Sequence, residues 1–273
     1  MKDTTLLEKT ELDDMSCGGW GTINAHSVNA AAALANFTGA AHGLLCHSYD
    51  AAYESLLRHF GAAHNDRIVV GQFCEAPDAI VPVCVGAMPV FTANCQSCGM
   101  IAPDALDATL GSTNNVRCVV VDLLPDAIDT YPLARISEIC RAHHTALILN
   151  AGGYFSVKKD NQPLVSFADA VLYSLEAGSE IYTGKGGLVV TNDTNVYAGA
   201  FAYHNCGRGF GEGCSLNVDA IVGGDLRVTE WTAAAAEVIL QTGDFSTPAP
   251  RKLIHMADQP VFKSDYAKKM TGN

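Results

Sequence analysis

The chain has 273 residues, 48% hydrophobic and 17% charged, which excludes a fibre or a disordered polymer and leaves room for one large domain with a buried core. Its formal charge of −12, with no run of Lys or Arg to offset it, argues against a nucleic-acid partner. The opening MKDTTLLEKTELDDM is broken by charge every few residues, and the longest apolar run, AIVPVCVGAMPVF, is too short to span a bilayer. A cytoplasmic protein with no membrane partner is expected.

In chain order, DAAYESLLRHFG (residues 50–61) places Tyr53, Leu56, Leu57 and Phe60 on one helical face, and Gly61 can close the helix. RIVVG (67–71), MPVFT (88–92) and RCVVVD (117–122) read as strands without polar alternation, the pattern of strands buried on both faces. LARISEICRAHH (133–144) is a second amphipathic helix, with Leu133, Ile136, Ile139 and Cys140 on one side. ALILN (146–150), AVLYS (170–174) and GLVVT (187–191) complete the strand set. This alternation predicts an α/β domain with a mostly parallel sheet between helices. Such sheets bind ligands at the carboxyl ends of their strands. Asp122, Asn150 and Ser174 close three of these strands, although Asn and Asp at such positions also serve simply as turn caps.

The ten cysteines read as reduced thiols, with Cys84, Cys118 and Cys140 expected in the core. Cys95 and Cys98 have CxxC spacing in NCQSCGM, but no second pair completes a zinc site, and no metal is expected.

Several blocks in order resemble the DegT/StrS group of sugar and cyclitol aminotransferases, fold-type-I enzymes that use pyridoxal phosphate. NDRIVVG, GAMPVF, LILNAGG, YSLEAGSEIYTGKGGLVVTND, HNCGRG and VGGDLRVTEWTAAAAEVILQ each match a segment of that family, from about Gly18 to Gln241. The resemblance implies the large domain of that fold, with a sheet of the seven-stranded type. It divides the chain into an N-terminal arm (1–40), a large domain (41–242) and a short tail (243–273). The tail is too short for the small domain that covers the substrate in the family, so a pocket that is open, or closed by a partner chain, is expected.

The departures from the family pattern are chemical. The family's Schiff-base lysine falls at Ser179, and a hydroxyl cannot form an imine with an aldehyde. The aspartate that pairs with the cofactor's ring nitrogen falls at Asn150, the stacking aromatic at Glu75, and the residue packing on the other cofactor face at Gly153. The phosphate turn becomes Ser48 and Tyr49, the glutamate of the family's EGG turn is Lys185, and the asparagine reaching across the dimer is Asp225. Ser174 and Arg227 are kept. Lys158, Lys159 and Lys185 are the lysines near enough in sequence to substitute, Lys185 best placed.

These changes lead to the expectation that pyridoxal phosphate binding is lost and no cofactor is used. Three functions are then open. One is a reassigned enzyme performing acid/base chemistry on a small sugar, cyclitol or natural-product intermediate. In it Glu75 or His47 would be the base, with Ser48, Tyr49, Asn150, Ser174, Ser179, Lys185, Asp225 and Arg227 lining the former cofactor pocket. The second is a non-catalytic subunit, in a homodimer or in a heteromer with a lysine-bearing aminotransferase. The third is residual pyridoxal-dependent transamination. Each ionisable residue on this roster also has an ordinary reading as a solvated loop charge.

Overall fold

The computed structural model describes residues 25–209 and 221–272, so part of the N-terminal arm and the segment 210–220 lie outside the described residues. The elements in order are α1 (Ala25–Thr38), β1 (His42–Cys46), α2 (Tyr49–His59), β2 (Arg67–Gly71), β3 (Phe73–Cys74), α3 (Ala76–Cys84), β4 (Met88–Thr92), α4 (Pro103–Ser112) and β5 (Val116–Asp122). Then come α5 (Leu133–Ala142), β6 (Ala146–Gly152), β7 (Lys158–Lys159), β8 (Gln162–Pro163), β9 (Ala170–Ser174), β10 (Gly187–Thr191), α6 (Thr194–His204) and α7 (Glu230–Thr242). Beyond α7 lie β11 (Ile254–His255), α8 (Pro260–Lys263) and α9 (Asp265–Thr271).

Seven strands form one sheet in the order β1-β10-β9-β6-β5-β2-β4. The pairs from β9 to β4 are parallel, whereas β10 runs antiparallel to both β9 and β1. The expected α/β architecture is therefore present. The missing polar alternation has a simple cause, because successive residues of each strand enter different cores. Val69, Val119, Val121, Leu147, Leu149 and Val171 face one, with α1, α4, α5 and α7. Ile68, Val70, Cys118, Val120, Ile148 and Leu172 face the other, with α2, α3 and α6. Both faces are apolar because both are covered.

Local sequence sets the helix ends. Ser48 is the N-cap of α2, its Oγ accepting from the Ala51 N–H at 3.1 Å, and Gly61 at φ 76° closes the helix as expected. Two expectations need correction. β4 is an edge strand whose Val90 and Phe91 are only half-buried, since one flank has no neighbour; Phe91 packs instead on Phe262, with ring centroids 5.2 Å apart. Cys84 is exposed at the last position of α3, whereas Cys118 and Cys140 are buried. Among the described residues, no helix is long and apolar enough to cross a membrane.

A buried acidic site closed by the chain's own tail

The parallel register pairs Asp122 at the end of β5 with Asn150 on β6. Asn150 is fully buried, and its Oδ1 accepts from the Gly152 N–H at 2.9 Å, where the strand bulges and Gly152 adopts φ 57°. Its Nδ2 donates into three carboxylates: Asp78 Oδ2 at 2.7 Å, Asp122 Oδ1 at 2.9 Å and Glu75 Oε2 at 3.3 Å. Glu75 is the N-cap residue of α3, and its side chain makes no capping bond, which leaves the carboxylate for this site. Tyr49, buried at the start of α2, donates its hydroxyl to Asp78 Oδ1 at 2.7 Å.

The counter-charge comes from Arg251, in the segment after α7, with a side chain only 3% exposed. Its Nε donates to Glu75 Oε1 at 3.0 Å and its Nη2 to Asp122 Oδ1 at 2.7 Å. Its Nη1 donates to the carbonyls of Leu123 and Asn150, both at 2.6 Å. Burial works against the guanidinium charge, but Asp122 and Glu75 more than offset it. Burial, then mutual repulsion, drives the carboxyl of Asp122 well above the usual carboxylate range, and burial also raises Asp78, so the pair holds a proton.

That proton has a sign. The unfolded chain releases it in the ordinary carboxylate range while the folded pair keeps it. The pair's contribution to stability is therefore fully present below the ordinary carboxylate range and is lost as pH rises through the raised value of the pair. Asp78→Asn removes one member of the pair, and a thermal melt series from pH 5 to 8 should show a flatter decline than the wild type. An unchanged slope would mean that the pair does not carry the shared proton.

The loop between β9 and β10 lies against this site. Ser179 is 2% exposed, and the Glu180 N–H donates to the Gly153 carbonyl at 2.9 Å. A Cβ on Gly153 would sit 2.4 Å from the Ser179 Cα, so the absence of a side chain at 153 is what admits the loop. Ser174 is half-buried, its Oγ accepting from the Glu176 N–H at 3.2 Å.

Other expected residues point elsewhere. Lys185, 72% exposed, pairs with Glu176 at 3.1 Å. Lys158 is exposed on β7, and Lys159 donates to the Asp129 carbonyl at 2.6 Å. His47 is exposed, and its backbone N–H bonds the Leu226 carbonyl. Asp225 and Arg227 form their own bidentate pair at 2.8 and 3.0 Å, which holds Asp225 below its usual pKa. Glu75 is bound to Arg251 rather than standing as a free base. Cys95 lies in the turn after β4, where Ser97 and nearby amides bring its thiol to about 7.

The expectation of an open or partner-closed pocket is corrected by the tail. The Ser246 N–H donates to the Glu180 carbonyl, the Ala249 N–H to that of Gly178, and the Tyr154 hydroxyl to that of Ala249. β11 then pairs with β3. The roster built on sequence missed Asp78 and Arg251. An acid placed three residues after Glu75, at the head of the apolar run AIVPVCVG, was a usable signal for the first; nothing in STPAPRKL marked the second.

The model of the DegT/DnrJ/EryC1/StrS aminotransferase family matches residues 3–260. The putative L-glutamine:3-amino-2,3-dideoxy-scyllo-inosose aminotransferase of Streptoalloteichus tenebrarius is 26% identical over 196 residues, 72% of this chain and 46% of that protein. The chain thus spans less than half the length of that relative. 3-Amino-5-hydroxybenzoic acid synthase shares the fold with a TM-score of 0.74 at 20% identity, over 86% of this chain and 62% of that one. NtdA from Bacillus subtilis with bound cofactor PMP gives a TM-score of 0.70 at 14% identity, over 88% and 55%.

These matches overturn the expectation of no cofactor: the family is one of aminotransferases, and a neighbour of the same fold carries PMP, pointing to pyridoxal phosphate. The residues at this edge do not fit that group as they are arranged here. Arg251 fills the space, three carboxylates face it, and Ser179 stands where the resemblance places the lysine.

Proposed function

We propose, from the premise that the chain belongs to the DegT/DnrJ/EryC1/StrS aminotransferase family, that it serves pyridoxal phosphate-dependent transamination as one subunit of a cytoplasmic assembly. The catalytic lysine of that assembly belongs to another chain, and the substrate is a keto sugar or cyclitol intermediate. The observation that carries this reading is the buried Ser179, held under Gly153 where the resemblance places the lysine. The lysines that the sequence offered as substitutes are turned away: Lys185 to Glu176, Lys159 to Asp129, and Lys158 to the exposed face of β7. The substrate class rests on the cyclitol aminotransferase among the relatives. A second copy of this chain would bring a second Ser179, so a heteromer with a lysine-bearing paralogue is favoured over a homodimer.

Native mass spectrometry of the chain mixed with such a paralogue is expected to show a heteromer. Amino transfer to a keto sugar nucleotide in the presence of pyridoxal phosphate should exceed that of the paralogue alone. Turnover by this chain in isolation, or failure to associate, overturns the reading.

A further inference from the structure

We propose that residues 246–256 are an autoinhibitory strap, and that Arg251 occupies the place of a guanidinium-bearing ligand at the carboxyl ends of β5 and β6. The proposal concerns access to the site described above, and it holds whether or not another chain supplies a lysine.

The guanidinium is held as a ligand is held. Four of its N–H groups find acceptors from four parts of the fold: Glu75 at the start of α3, Asp122 on β5, Leu123 just beyond it, and Asn150 on β6. The two carbonyls that share Nη1, with Asp122 and Glu75 beside them, make four acceptors, one more than the three N–H groups of an ammonium could meet. Gly152 makes room for the stem, since a Cβ there would lie 3.1 Å from the Arg251 Nε.

The strap around this arginine is thinly attached. Residues 244–253 form no regular element, and Pro248 and Pro250 have no N–H to donate. Its backbone bonds to the body of the domain are those of Ser246, Ala249 and Met256 to Glu180, Gly178 and Gln72, that of the Tyr154 hydroxyl to the Ala249 carbonyl, and the two-residue pairing of β11 with β3. Lys252 and Ile254 on either side of Leu253 are exposed. The buried arginine is thus the main anchor of residues 246–255, which otherwise lie on or near the surface, while Met256 at the far end is buried in the core beside α2 and α3. Lifting it exposes Glu75, Asp78 and Asp122, an acidic pocket suited to a cation of the same shape.

Hydrogen exchange of the whole chain tests the strap. The amides of Ala249 and Met256 are expected to exchange at least about a hundredfold faster than those of Val120 and Ile148, because the strap opens without the sheet. Arg251→Ala should speed them further and lower the melting temperature by about 10 °C; Arg251→Gln, which keeps most of the stem, serves if the alanine variant does not fold. Millimolar methylguanidinium should raise the melting temperature of either variant while the strap amides stay fast, and sodium chloride or methylammonium at equal ionic strength should not. Strap amides that exchange only with the sheet overturn the proposal. So does a methylguanidinium shift no larger than that of the two control salts.

Discussion

Asn150→Asp, which restores the acid that the family resemblance implies, is expected to destabilise the protein by about 3–5 kcal/mol at pH 8, or about 10 °C in melting temperature. The Asn150 Nδ2 is the donor shared by Asp78, Asp122 and Glu75 at 2.7, 2.9 and 3.3 Å. A carboxyl in its place removes those bonds and adds a fourth acid to a buried space that holds one guanidinium. The new acid would keep its proton to unusually high pH, so the penalty should shrink toward pH 5. Melting curves at both pH values decide the matter. A variant as stable as the wild type at pH 8 would show that the acidic cluster is not assembled as described.

Gly153→Ala should cost about 1–3 kcal/mol, the usual range for a methyl forced into filled space. The added carbon would meet the Ser179 Cα at 2.4 Å, its Oγ at 2.6 Å and its Cβ at 2.8 Å. A Cα cannot rotate away, so the β9–β10 loop must move or the domain must absorb the strain. Adding Ser179→Gly to that variant relieves the two side-chain contacts but leaves the Cα, so only part of the loss should return. Chemical denaturation of the three variants reads this directly, and a neutral Gly153→Ala would mean that the loop does not rest on residue 153.

Together these two effects describe a site rebuilt around different partners. The position implied for a cofactor aspartate has become a neutral donor among acids. The position implied for a lysine is a small residue packed under a glycine. The cation that balances the acids comes from the far end of the chain, 176 residues from Glu75. Family membership points to pyridoxal phosphate, while in this arrangement Arg251 stands among the acids at the carboxyl ends of β5 and β6, and the proposed strap is the element whose movement would relate the two.

Much of the fold was legible from local pattern. The six strands and two helices read from residues 50–61, 67–71, 88–92, 117–122, 133–144, 146–150, 170–174 and 187–191 are all present, four with the same ends and the others with ends shifted by at most two residues. Burial and periodicity are local properties written into consecutive residues. β1 was not read from HGLLC because, unlike RIVVG or GLVVT, it carries no β-branched residue to mark a strand. Burial on both faces was legible, but which residues of each strand enter which core was not, since both faces are apolar.

The site was legible only where it follows the sheet. Asn150 and Asp122 could be placed at strand ends because parallel register puts such ends together. What those groups meet was decided by the tertiary structure. Asp78 comes to Asn150 by the packing of α3, and Arg251 by the return of a proline-containing segment across the sheet edge. Hydrogen bonds over 72 and 101 residues of separation depend on where distant backbones lie, and no local periodicity encodes that. Residue type alone marked Ser179 and Asn150 as unable to do the family's chemistry; only folding showed that a guanidinium stands in their midst.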